Sequence, residues 1–140
     1  MYELLDRYAA YGKDLMITEF DINSRDLDLQ ADYTRDFMTI CFSHPAVCGF
    51  DLWGFWERAH WRPDAALIDK DWKLKPNGEV FQELVRGQWW TEENGVTGQD
   101  GRYTVRGFLG DYFVTVRRGT KRQRYSVKLP REGTTLEVVW

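Results

Sequence analysis

Two carboxylates, Glu19 and Asp21, interrupt the end of an otherwise apolar run, "MITEFDI" (Met16 to Ile22). A buried strand carries charge at a cost, so acids there need a partner or a task. A second apolar run, "AVCGFDLWG" (Ala46 to Gly54), ends in the same way on Asp51 and Trp53. Glu19 can serve as base, nucleophile or ligand, or it can be a buried Glu paired with a nearby Arg or Trp N–H. Asp21 can do the same work, orient its neighbours or cap a turn. Carboxylates beside tryptophans suggest a carbohydrate site. A sugar face is partly apolar and stacks on indole, while its hydroxyls need fixed polar partners.

The elements that must position these residues follow from periodicity. "MYELLDRYAAYG" places Leu4, Leu5, Tyr8 and Ala9 on one helical face, and Gly12 stands where a helix ends on glycine. Residues 14–21 are continuously apolar up to their acids, which predicts a strand buried on both faces. A helix over about 28–43 turns Tyr33, Phe37, Ile40 and Cys41 to a core, and Pro45 stops it. Strand, helix and strand in this space make a βαβ unit with parallel strands, and such units place functional residues at the strands' C-terminal ends. An aromatic, charged loop follows, and Pro76 then opens a third helix with Val80, Phe81, Leu84 and Val85 as its stripe.

The period changes to two after "NGVTGQDG" (Asn94 to Gly101). Tyr103 and Val105, then Tyr112, Val114 and Val116, then Tyr125, Val127 and Leu129, then Leu136, Val138 and Trp140 alternate with polar residues. Four short antiparallel strands are expected, forming a small β-sandwich-like extension over residues 92–140 behind a parallel α/β part over 1–91.

The 140 residues carry a net charge of −3, with 16% aromatics and seven Trp. The charge is uneven: residues 1–101 hold 10 Lys and Arg against 19 Asp and Glu, and residues 102–140 hold 9 against 3. The basic extension reads first as solvated strand faces, because no nucleic-acid recognition pattern accompanies it. No run spans a membrane, and the N-terminus lacks the features of a secretory signal. Two His and two Cys lie far from any metal-ligand spacing, so neither metal nor cofactor is expected. No Ser-His-Asp set or phosphate-binding glycine loop is present. His44, in "SHPAV", is placed to cap a helix end, whereas His60 suits ligand contact and local packing equally.

These segments resemble glycoside hydrolase family 10, the retaining endo-1,4-β-xylanases. "ITEFDI" is similar to the family's strand-7 motif, whose Glu is the nucleophile; the resemblance gives that role to Glu19. "WGFWERAHW" resembles the strand-8 signature, which implies that Trp53 and Trp61 wall the subsites nearest the cleavage point. Asp21, Glu57, His60 and Arg62 are the further substrate contacts it suggests. "AALIDKDWKLKPNGEVFQEL" is similar to the family's closing segment. Phe20 stands where Leu is usual, and Trp56, Glu57 and His60 stand where Thr, Asp and Ser are more typical. Cys41 and Cys48 lie near a disulfide that some members have, with spacing one residue longer.

The resemblance implies the C-terminal portion of a (β/α)₈ barrel, about strands 7 and 8 with flanking helices, and xylan as substrate. A full barrel takes about 250 residues, so strands 1–6 are expected upstream, with Met1 an internal or chosen start and the whole enzyme secreted or periplasmic. The family's acid/base Glu follows an Asn on strand 4, and this chain has no Asn-Glu dipeptide. The 140 residues alone are therefore expected to be inactive and to self-associate, neither membrane nor nucleic acid being a partner. The alternative is a xylan-binding segment without catalysis.

Overall fold

The computed structural model describes all residues, Met1–Trp140, in two compact units, Met1–Gln88 and Trp89–Trp140. In the first unit α1 (Tyr2–Ala9) leads into β1 (Leu15–Phe20), then α2 (Leu27–Ser43), β2 (Val47–Leu52) and α3 (Pro76–Glu83). Asp26 caps α2 by accepting the Leu29 N–H at 3.0 Å, and Pro76 opens α3 at its first turn. The last helix widens into a π-helical turn over Leu84–Gln88. No helix is long and apolar enough to cross a membrane.

Strands β1 and β2 pair in parallel, as a βαβ unit requires. The register slips twice. Leu15 faces Val47 while Met16 faces Gly49, and Ile17 faces Phe50 while Phe20 faces Leu52. The second slip inserts one extra residue into β1 at Thr18–Glu19, a bulge of the kind that re-aims a side chain. The expectation that β1 is buried on both faces is corrected: Leu15 and Ile17 are half-buried and Phe20 buried, but Met16, Thr18 and Glu19 are exposed. The sheet has two strands, so β1 has a strand partner on one edge only.

The core sits between helices as much as under the sheet. Gln30, Ala31, Thr34, Met38 and Cys41 are the buried residues of α2, which packs chiefly on α3. This stripe is rotated from the expected one, because Tyr33 and Phe37 lie toward the strands instead. There Phe20 stacks on Phe37 at 4.9 Å and on Tyr33 at 6.4 Å, with Phe50 tilted against it at 5.1 Å. Phe in place of a smaller Leu is thus the centre of an aromatic cluster. On α1 the expected four-residue face reduces to Leu5, since Leu4 and Tyr8 are exposed. Packing between α3 and the chain before it depends on Gly78, where a Cβ would fall 2.3 Å from the Leu67 carbonyl oxygen.

His44 is the C-terminal cap residue of α2 and is buried. Its Nδ1 accepts the Ala46 N–H at 3.2 Å, which leaves Nε2 to donate to Asp6 Oδ1 at 3.3 Å. Cys41 and Cys48 are free thiols, one buried and one exposed. Burial pushes the Cys41 thiol up, and Cys48 Sγ instead donates to the Leu15 carbonyl at 3.4 Å.

In the second unit β3 (Gly110–Arg118) and β4 (Lys121–Leu129) form one antiparallel hairpin, closed by a turn at Gly119 with φ +58°. Of the four expected strands the structure forms these two, so the extension is a hairpin with flanking loops and not a sandwich. The flanks alternate in sequence, but side chains take backbone groups that a ladder would need. Thr91 Oγ1 accepts the Phe108 N–H at 3.1 Å, Tyr112 donates its hydroxyl to the Phe108 carbonyl at 2.6 Å, and Gln123 Nε2 donates to the Val139 carbonyl at 3.5 Å.

Candidate active site

The site lies where β1 and β2 end. The Trp53 N–H donates to the Phe20 carbonyl at 3.1 Å, extending the ladder by one bond and fixing Trp53 beside the end of β1. Glu19 sits on the bulge one residue earlier, with an exposed carboxylate that no cation pairs. An open groove of about 380 Å³ runs along β1, lined by Glu19 and Asp21 with Met16, Ile22, Tyr33 and Phe37. Trp53 and Trp61 are outside this groove, although both are exposed, by 50% and 61%. Exposed indoles of this size are available to a ligand.

Asp21 and Trp61 are joined directly: the indole Nε1–H donates to Asp21 Oδ2 at 2.8 Å. Arg62 lays its guanidinium over the same indole, 4.2 Å from the ring centroid. One face of Trp61 is therefore occupied by Arg62, and the other remains open. His60 supports this pair from within. It is buried, its Nδ1 accepts the Arg62 N–H at 3.0 Å, and it packs so closely on Gly54 that a Cβ there would meet its Cδ2 at 2.6 Å. His60 is thus packed locally through its ring and Nδ1, while its buried Nε2 has no hydrogen-bond partner.

Glu57 is also engaged locally. Its Oε2 accepts the Lys70 N–H at 3.1 Å, and its own N–H donates to the Ile68 carbonyl. The segment from Asp69 to Lys73 closes a tight turn around the Asp69 carboxylate, whose Oδ1 accepts the Asp71 and Lys73 N–H groups at 2.8 and 2.9 Å. The backbone bond from Lys73 first, then that from Asp71 and the nearby lysine charges, holds the Asp69 carboxyl below its usual value against a smaller opposing effect of burial. Trp72 takes φ +64° in this turn and stacks on Trp56 at 4.7 Å. Left-handed backbone strains a bulky residue, and the stack offsets that strain.

Gln30 and Lys75 have positioning roles that the sequence did not announce. Gln30 is fully buried, and its Nε2 donates to the Ile22 carbonyl at 2.7 Å and to the Asp64 carbonyl at 2.6 Å. One amide thereby ties the chain leaving β1 to the loop that carries Trp61. Lys75 Nζ donates to the same Asp64 carbonyl at 2.5 Å. Burial pushes the Lys75 ammonium below its usual value, opposed by the carboxylates of Asp64, Glu57 and Asp69. The only available signal for Gln30 was its spacing from Thr34, Met38 and Cys41 on one helical stripe. No group of His, Cys, Asp and Glu is arranged to hold a metal ion.

This geometry stands beside clear relationships. Residues 1–83 match the family model described as Glycosyl hydrolase family 10. Endo-1,4-beta-xylanase 1 of Arabidopsis thaliana is 34% identical over 112 residues, 80% of this chain and 12% of its own length. Anti-sigma-I factor RsgI6 of Acetivibrio thermocellus is 35% identical over 139 residues, 98% of this chain and 18% of its own. The crystal structure of native xylanase 10B from Thermotoga maritima superposes with a TM-score of 0.54 at 28% identity, covering 62% of this chain and 31% of that one. The chain spans less than a fifth of the length of these two curated relatives. With more than half of its residues matched by the family model, the chain belongs to glycosyl hydrolase family 10.

Proposed function

We propose that this chain is the nucleophile-bearing portion of a retaining endo-1,4-β-xylanase, with β1 and β2 as strands 7 and 8 of the barrel. The observation that carries the reading is the β1 bulge, which presents the Glu19 carboxylate to solvent at the strand end, next to Asp21 and its bound Trp61. In this reading the Glu19 carboxylate attacks the anomeric carbon of a xylosyl unit. The glycosidic C–O bond breaks, and the leaving oxygen takes a proton from a second carboxylic acid about 5–5.5 Å away. That acid, then as carboxylate, takes a proton from water, which attacks the anomeric carbon and releases Glu19.

Trp53 and the open face of Trp61 stack on sugar rings. Asp21 and Arg62 hold Trp61, while His60 and Glu57 shape the loop beneath. The second carboxyl belongs to a barrel strand outside these 140 residues, and xylan places the whole enzyme outside the cytoplasm, secreted or periplasmic.

The test is covalent. A 2-deoxy-2-fluoro-xylobioside with a good leaving group should label Glu19 in the complete barrel, read by mass spectrometry of the peptide. Glu19→Gln should abolish labelling and lower xylan hydrolysis by more than a thousand-fold, as loss of a covalent nucleophile does (about 4 kcal/mol or more in the barrier). Labelling of another carboxylate would refute the assignment.

A second reading, xylan binding without cleavage, has its own support. A relative matched over 98% of this chain is named for anti-sigma-I activity and not for hydrolysis. Xylo-oligosaccharide affinity that survives Glu19→Gln, falls with Trp61→Ala and comes with no hydrolysis by the complete protein would favour it.

A further inference from the structure

We propose that the outer face of the β3–β4 hairpin binds carboxylate groups on a uronic-acid-bearing polysaccharide, a glucuronate-substituted xylan in the first instance; this rests on the xylan reading above. The hairpin alternates from Gly110 to Arg117 and from Arg122 to Leu129. Tyr112, Val114 and Val116 on β3, with Gln123, Tyr125, Val127 and Leu129 on β4, are half-buried, and the residues between them are exposed. The exposed face pairs Asp111 with Lys128, Phe113 with Ser126, Thr115 with Arg124 and Arg117 with Arg122, while Arg118 and Lys121, one residue further along, belong by alternation to the other face. Three of this face's four cations, Arg117, Arg122 and Arg124, are therefore gathered toward its turn end.

Two observations point from this face to a ligand. First, the directly opposed pair on this face, Arg117–Arg122, is like-charged, an arrangement that destabilises a hairpin. No salt bridge engages any of these side chains. An anion between them converts the repulsion into attraction. Second, Phe113 is 71% exposed in the middle of the face, and Arg124 holds its guanidinium 4.1 Å from the ring centroid. A flat apolar ring beside forked guanidinium donors suits a sugar ring carrying a carboxylate, which arginine grips through two parallel bonds.

The experiment measures affinity of the protein for three polymers across a salt series: glucuronoxylan, the same glucuronoxylan with its carboxyls reduced to alcohols, and single-stranded DNA at equal charge concentration. Glucuronoxylan should bind at least ten-fold tighter than its reduced form, with the difference vanishing at high salt. The triple variant Arg117→Gln, Arg122→Gln, Arg124→Gln should lose that preference, and the corresponding Arg→Lys triple should keep part of it. The Gln triple should unfold no earlier than the parent, since it removes a like-charged pair. Equal affinity for native and reduced polymer, a preference that survives the Gln triple, or tighter binding of DNA than of glucuronoxylan would each overturn the inference. Polygalacturonate separates this from the xylan reading: hairpin-dependent binding to it, without affinity for neutral xylo-oligosaccharides, would leave the hairpin site standing and remove xylan.

Discussion

Trp61 donates its indole N–H to Asp21 Oδ2 at 2.8 Å across 40 positions of sequence, joining the loops that leave the two parallel strands. Because Arg62 covers the same ring, Trp61 is restrained both at its edge and on one face. A stacking platform held this way loses little side-chain freedom when a sugar arrives, and that preorganisation is worth affinity. Asp21→Ala should release the ring and weaken xylo-oligosaccharide binding by about five-fold, roughly 1 kcal/mol for a charge-assisted bond that is partly solvated. Titration calorimetry reads this directly. Unchanged affinity would mean that Arg62 and the loop suffice to hold Trp61.

Gln30 makes the same connection from inside the fold. Its amide donates to the carbonyls of Ile22 and Asp64, and the amide itself is fully buried. Gln30→Leu keeps the volume and removes both bonds, so it should cost about 2–3 kcal/mol of stability by denaturant titration. Sugar affinity at 25 °C should fall with it, because the Trp61 loop loses its tether. A variant as stable as the parent would show that Lys75 alone anchors the Asp64 carbonyl.

Gly78 sets how closely α3 approaches the loop before it. An added methyl would meet the Leu67 carbonyl oxygen at 2.3 Å and Leu74 Cδ2 at 3.0 Å. Backbone on one side cannot rotate away as a side chain can, so Gly78→Ala should destabilise by about 1–3 kcal/mol despite the better helix propensity of Ala. A rise in unfolding temperature would show that α3 shifts freely.

Much of the first unit was legible in the sequence because its signals are local. Pro45 and Pro76 mark helix limits, and the two apolar runs with acidic ends became parallel strands over Leu15–Phe20 and Val47–Leu52. The bulge at Thr18–Glu19 was not legible, since a continuous apolar run carries no register. Gln30 was missed because a polar residue on a helix reads as surface until its carbonyl partners, 8 and 34 positions away, are known. In the second unit the period of two was real over Gly110–Leu129, but alternation shows which side a residue faces and not whether a neighbouring strand exists. The outer segments alternate without ladder partners.

Asp69 gives the site loop a pH dependence whose sign follows from its partners. Its carboxylate accepts the N–H groups of Lys73 and Asp71, bonds that favour the ionised form, so its folded value lies below the ordinary 3.8. A group depressed on folding contributes stability that is present above its unfolded value and lost as pH falls through the folded one. The turn it closes holds Trp72 at φ +64° against Trp56, so loss of the carboxylate also frees that stack. Asp69→Ala should lower the unfolding temperature by a few degrees at pH 7, on the order expected for losing two exposed turn bonds in a domain of this size. The gap between variant and parent should be constant from pH 7 to 5, then close as the parent's carboxylate protonates below pH ~3.8. A gap that persists undiminished at pH 2 would mean that shape at this position, and not the ionised acceptor, holds the turn.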